Sequence, residues 1–520
     1  MTSPAVSGAD ASAAREELLL RLREQAGRLG DTPLIIEGGH TTGARQLVER
    51  VDARIRAYRA CGVGESALVG TLAWPPAEFI SDLFTIVAVG AVAVPLPRRL
   101  TAWELERLRA RLPLTHLATP RDSPLTLRTA AGVHGERSLS RGPDRRHEAY
   151  RQAATAQITS GTTGVPRAAL RSAAALLAEA DHYRTALDLS PSGLLACPVP
   201  LQHAYGFGLC AVAAPLAGAP VRYLSAERPR LLLRDLAEAG VSLFVGVPPM
   251  LRLLAKAARD ELPGPPVGFL SAGMPLDAHT AGAVASRLGG RIGQVYGTTE
   301  TGPICVRAPL PWSEDLRWPG PPLPGVAVRL TDPDGGGSGP APSPAERSAA
   351  PDGHGDGADG GAEEAVARAG VAAGRADGLV TVASPSMMSG YAEGGTVDAR
   401  PLRGGFVTGD LARWEGDALV LAGRLSTCIN VAGVKISPEE IEAALLAHPA
   451  VASCLVTGHA DPVLGQRIKA TVTPDTVGLA ELERFCRERL SPAQVPHLFT
   501  AVASLPTTET GKVIRPRGGE

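Results

Sequence analysis

From about Leu18 to Pro248 the chain alternates short apolar runs with amphipathic runs of helical length, and this alternation constrains its fold more than any other feature. "SALVGTLAW" and "VAVPLP" have strand character. "AEFISDLFTIVAVG" has helical spacing, and "TAWELERLRARL" reads as a helix opened by a Thr cap. "THLATP", "VRYLSA" and "VSLFVGVPP" continue the pattern as short buried strands. Strands separated by helices pair in parallel through crossovers, so a parallel α/β sheet is expected. No repeat period is present.

A chain of 520 residues has room for two to four units of ordinary domain size. The formal net charge of -1 gives no global reason to expect nucleic acid or an anionic membrane as a partner. The cysteines at 61, 197, 210, 305, 428, 454 and 486 lack CxxC or Cys/His spacing, which favours reduced thiols over disulfides or a zinc site. The N-terminus has no basic start followed by an apolar run, and reads as a loose leader and an amphipathic helix. The longest apolar stretch, "FTIVAVGAVAVPLP", is too short to span a bilayer and is broken by Pro95. A soluble cytoplasmic protein is expected, as a monomer or homodimer.

Residues 331–378 are dense in Gly, Pro, Ala and Asp and cannot bury enough apolar surface to offset their chain entropy. They read as an insert with no core of its own; a helical turn at "AEEAVARAG" and a role as an interaction loop both stay open. Beyond it, "VKISPEEIEAALLAHPAV" opens a helix with Ser437 as cap, Pro438 at the first position and Glu439 and Glu440 in the first turn. "ASCLVTGHA" and "IKATVTP" follow as strands, and "GLAELERFCRERL" as a helix. The expected division is a large α/β unit, 1–423, and a small α+β unit, 424–520.

The stretch Ile158–Leu170, "ITSGTTGVPRAAL", carries the first chemical signal. Glycines let backbone N–H groups converge and hydroxyls add donors, so Thr159, Ser160, Gly161, Thr162, Thr163 and Gly164 suit a phosphate cradle. Arg167 would add a forked cation. The GxxxxGK[ST] spacing is absent, and alone the loop fits a solvated turn equally well. It has company: "QVYGTTETG" at 294–302, "GFVTGDLARW" at 405–414, "GRLSTCINVAGVKISPEEIE" at 423–442 and "LPTTETGKVIR" at 505–515. In this order and at these distances the five stretches resemble the adenylate-forming superfamily, which includes acyl-CoA synthetases, peptide-synthetase adenylation domains and luciferases. The resemblance covers nearly the whole chain.

The resemblance implies a fold and a division of labour. The fold is a large N-terminal domain of parallel and mixed sheets flanked by helices, with a distorted barrel-like part, and a small mobile C-terminal α+β lid. The 159–164 loop would hold the β- and γ-phosphates of ATP. Arg167 stands where the family usually has Lys, and Ala168 where it usually has Gly. Glu300 would ligate Mg²⁺, for which a hard carboxylate oxygen is suited. Thr299 would contact the α-phosphate, Tyr296 would stack on adenine, and Gly297 and Thr298 would lie beside the nucleotide, Gly297 near the acyl pocket floor. Asp410 would accept both ribose hydroxyls, and Arg424 would support ribose and phosphate. Lys512 would bridge the substrate carboxylate and the α-phosphate and offset their repulsion. Ser426 falls at the hinge, where an acid or Lys is usual, and Gly433 at the pantetheine tunnel.

The acid is narrowed by "PVPLQHAYGFGLC", which occupies the place where the family begins its acyl pocket. His203, Tyr205, Gly206 and Phe207 would lie near the substrate, with Ser271, Ala272 and Gly273 as a second wall. There is no Asp to pair with an α-amine, so an aryl or acyl acid is expected; His203 also fits an ordinary core histidine. The expected reaction is activation of a small-molecule carboxylic acid as acyl-AMP, then transfer to coenzyme A. The alternatives are loading of a carrier protein's phosphopantetheine in trans, a degenerate nucleotide-binding protein without turnover, and a scaffold built around the insert.

Overall fold

The computed structural model describes residues 8–120, 129–134, 137–141, 150–159, 167–225, 229–258, 262, 265–273, 276, 278–313, 319–331, 378–393, 396–399, 402, 404–416, 418–424, 429–432, 434–436, 438–446, 448–476 and 478–506. Of the expectations above, Ser160 to Gly164, residues 332–377, Ser426, Gly433, Ser437 and Lys512 lie outside them, as does the side chain of Arg424.

The alternation becomes crossover-linked sheet. Leu68–Leu72 is followed by the helix Pro76–Ala88 and returns as Val92–Leu96, paired in parallel with Leu72 opposite Leu96. The next helix, Ala102–Arg109, starts where its sequence says it should. Glu104 N donates to Thr101 Oγ1 at 3.2 Å while Thr101 N donates to Glu104 Oε2 at 2.8 Å, a reciprocal cap. His116–Pro120 and Ala153–Thr159 extend the same sheet in parallel, and Arg167–Ser172 turns back antiparallel beside Ala153–Thr159. Nine described strands make up this sheet.

A second sheet of eight described strands has a parallel centre built from Val221–Tyr223, Leu195–Cys197, Leu243–Gly246, Gly268–Ser271 and Arg291–Thr298. The helices Ala44–Ala60, Pro76–Ala88 and Ala173–Leu187 contribute Leu47, Val51, Phe79, Ile80, Leu176 and Tyr183 to one large core with strands of both sheets. A third sheet is antiparallel throughout, from Ala327–Thr331 through Gly378–Ala383 and Phe406–Glu415 to Ala418–Arg424. Its first two strands flank the expected insert and pair with Thr331 opposite Leu379, so the fold closes across the ends of that segment. The C-terminal sheet, with the helices Pro438–Leu446 and Leu479–Arg489, encloses its own cluster around Ile441, Val456, Ile468 and Leu482. Thr101 Oγ1 donates to Arg489 O at 3.4 Å, and Trp103 packs on that cluster.

Arg171 lies inside the core with no exposure, in ionic contact with Glu179 of the helix Ala173–Leu187 at 2.6 Å. Gly208 makes room for the carboxylate: a Cβ there would sit 2.0 Å from Glu179 Oε1. Burial pushes the Glu179 pKa up, and Arg171 opposes that shift. Removing one member of such a pair leaves the other charged in a dry interior. Glu179→Ala is therefore expected to cost about 3–5 kcal/mol of unfolding free energy, measured as a fall in the urea midpoint at unchanged slope. A midpoint within error of the parent would refute this assignment.

Candidate active site

The candidate residues gather around one hairpin. Arg291–Thr298 and Gly302–Leu310 pair antiparallel, and Thr299, Glu300 and Thr301 form the turn between them. The turn is braced from within: Thr301 N donates to Thr298 Oγ1 at 3.2 Å and Thr298 N to Thr301 Oγ1 at 3.3 Å. Gly297 has a local reason to be glycine. A Cβ there would lie 2.5 Å from Gly302 O and 2.9 Å from Pro303 Cα, both backbone of the facing strand.

On one side the hairpin meets the third sheet. The Tyr296 hydroxyl donates to Asp410 Oδ2 at 2.9 Å and lies 3.3 Å from Thr408 Oγ1. Both Tyr296 and Asp410 are 8% exposed. Burial, and then the Asp410 charge, raises the Tyr296 pKa, so the phenol stays protonated and donates. Asp410 sits opposite Arg424 in the strand ladder.

On the other side it meets the nine-stranded sheet. The Tyr391 hydroxyl donates to Glu300 Oε1 at 2.8 Å, and Met388 N donates to Glu300 O at 2.7 Å. Arg167 carries its guanidinium over the Tyr391 ring, 5.2 Å from the centroid. Thr159 and Arg167, on either side of residues 160–166, are register partners, with Thr159 Oγ1 donating to Arg167 O at 3.4 Å. Behind this row, Arg171 Nη2 donates to Ser386 O at 2.9 Å, and Ser386 Oγ donates to Thr301 O at 2.9 Å. The buried pair described above thereby reaches the turn that carries Glu300.

The two stretches expected to wall an acyl pocket also meet. Tyr205 OH donates to Leu270 O at 2.9 Å, tying 203–207 to the strand that ends at Ser271. Ser271 is opposite Gln294, so the strand that ends at Ser271 runs beside the first strand of the hairpin. Ser271 is the carboxyl end of a parallel strand, the edge where open α/β sheets bind ligands. His203 is exposed, and partial desolvation by its surroundings lowers its pKa, which favours the neutral imidazole. Ala272 is buried and Gly273 is exposed with φ of +85°. Gly206 is buried, and Phe207 faces away into the core, edge-on to Phe79 with ring centroids 6.4 Å apart. Phe207–Ala213 winds as a π-helix, a form concentrated near functional sites.

Sequence reasoning did not single out Tyr391, Thr301, Arg171 or Glu179. "SMMSGY" carries no chemical pattern around its tyrosine, and a lone Arg and Glu eight residues apart on a strand and a helix carry none either.

The AMP-binding enzyme family matches residues 22–346, and the C-terminal domain of AMP-binding enzymes matches residues 440–512. A feruloyl-CoA synthase of Amycolatopsis sp is 28% identical over 494 residues, spanning 92% of this chain and 93% of its own. A 2-succinylbenzoate–CoA ligase of Geobacillus kaustophilus is 27% identical over 521 residues, spanning 95% and 96%. The o-succinylbenzoate CoA synthetase structure from Bacillus subtilis matches with a TM-score of 0.75 at 21% identity, over 95% of this chain and 96% of that one, a likeness of fold.

Proposed function

The chain belongs to the AMP-binding enzyme family, and on that premise we propose that it activates an aryl or acyl carboxylic acid with ATP, releases pyrophosphate, and passes the acyl group from acyl-AMP to coenzyme A. The observation that carries this reading is the hairpin 291–310, which holds Tyr296 against Asp410 on one side and Glu300 against Tyr391, whose ring carries Arg167, on the other.

The residues divide the work by their chemistry. Asp410 accepts from the ribose hydroxyls while its other bond, from Tyr296, keeps the carboxylate oriented. Thr159, Arg167 and the intervening loop take the β- and γ-phosphates. Glu300 fits Mg²⁺: it is a hard oxygen ligand, and Tyr391 is the hydrogen-bond partner of its carboxylate among the described residues. Among those residues no group of three or more His, Cys, Asp and Glu could hold a metal, which suits an ion shared between one carboxylate and substrate phosphates. Bound there, Mg²⁺ would neutralise phosphate charge. Lys512 brings the substrate carboxylate to the α-phosphate, and the 424–520 unit carries it in and out as a lid. His203, Tyr205 and 271–273 receive the acid.

No helix among the described residues is long and apolar enough to cross a membrane, and we place the reaction in the cytoplasm. The test is release of AMP and pyrophosphate with Mg²⁺-ATP across aryl, aliphatic and amino acids, with and without coenzyme A. AMP and a thioester from one non-amino acid class, dependent on coenzyme A, are expected. Adenylate formed without any effect of coenzyme A would move the acceptor to a carrier protein. No AMP with any acid would overturn the catalytic reading.

A further inference from the structure

Glu300 and Arg167 carry opposite charges on facing elements, yet they are not paired with each other, and one side chain explains why. Tyr391 stands between them. Its hydroxyl holds Glu300 Oε1 at 2.8 Å while its ring face receives the Arg167 guanidinium at 5.2 Å. The backbone dictates this placement. The strand Gly390–Glu393 runs antiparallel to Arg167–Ser172 with Tyr391 opposite Ala169. Arg167, two residues from Ala169, is on the same face and lies diagonally across from Tyr391, within reach of a long side chain. Glu300 is anchored to the same segment through Met388 N, which donates to its carbonyl at 2.7 Å. Tyr391 itself is 8% exposed and packs with Met388, Phe406 and Ala169, so its ring has little freedom to leave.

We propose that Tyr391 is a positioning residue that keeps Glu300 and Arg167 apart, so that the carboxylate is free for Mg²⁺ and the guanidinium for phosphate. The inference rests on the nucleotide reading above. An aromatic ring accepts the cation on its face without consuming its N–H edges, and a phenol holds one carboxylate oxygen without consuming the other. A direct salt bridge would engage both groups in a bidentate fork. A tyrosine does both jobs: phenylalanine would keep the separation and lose the grip on Glu300, and alanine would lose both.

The experiment uses the full chain and calorimetric binding, without turnover. ATP binding is titrated against Mg²⁺, and AMP binding is measured without metal, for the parent, Tyr391→Phe and Tyr391→Ala. In Tyr391→Phe the Mg²⁺ needed for half-maximal ATP binding is expected to rise about ten- to a hundredfold, the loss of one hydrogen bond to a charged group, with metal-free AMP affinity and Tm close to the parent. In Tyr391→Ala the same shift is expected together with weaker ATP binding at saturating Mg²⁺, because Arg167 then pairs with Glu300. An unchanged Mg²⁺ dependence in a folded Tyr391→Phe protein would overturn the positioning role while leaving the nucleotide reading intact. A parent protein that binds neither ATP nor AMP would overturn both.

Discussion

Lys512→Ala is expected to lower acid-dependent pyrophosphate release by about two to three orders of magnitude, the usual cost of removing one preorganised charge-stabilising group. Two anions must meet for acyl-AMP to form: the substrate carboxylate and the α-phosphate. A carboxylate approaching a triphosphate is repelled, and water screens poorly inside a closing site. An ammonium placed between them offsets that repulsion in the ground state and stabilises the charge that builds on the bridging oxygen. The sequence offers this group on a Thr- and Gly-rich stretch, "LPTTETGKVIR", close to the chain end. The effect should be confined to the first half-reaction. Thioester formation from a synthetic acyl-adenylate and coenzyme A should stay within about tenfold of the parent, since that step has no incoming carboxylate to guide. Near-normal pyrophosphate release from the alanine variant would remove Lys512 from the mechanism.

Asp410→Ala is expected to reduce kcat/KM for ATP by about 10²–10⁴, because two hydrogen bonds to a charged group are worth about 1.5–3 kcal/mol each. The KM for the acid should change little. Asp410 also accepts from Tyr296. Alanine leaves that phenol in a nearly dry site with Thr408 Oγ1, at 3.3 Å, as its remaining partner among the described residues. Some loss of stability is therefore expected alongside the loss of binding. Asp410→Asn separates the two effects. Its amide oxygen still accepts from Tyr296, so stability should recover, while the missing charge keeps ATP binding weak. A folded Asp410→Asn enzyme with parental KM for ATP would show that the ribose is held elsewhere.

The chemistry was legible where it is written in consecutive residues. The hydroxyl and glycine run at 159–164, "YGTTE" and "TGD" each concentrate rare combinations within a few positions, and their order along the chain is itself informative. Thr101 announced its helix because a reciprocal cap is completed within four residues. The pocket stretches were less legible. The five residues from His203 to Phe207 read alike in sequence, but tertiary packing separates them: His203 is exposed, Tyr205 bonds Leu270 O, and Phe207 joins Phe79 in the core.

The sequence by itself determined the alternating α/β plan and the adenylate-forming character, because each of those signals is local. The tertiary structure alone decided which charges meet. Tyr391 reaches Glu300 across 91 positions, Tyr296 reaches Asp410 across 114, and Arg171 reaches Ser386 across 215. No spacing rule spans such distances. Those partners are chosen by strand order, register and the face on which each side chain falls, and these are settled only when the sheets pack around the hairpin.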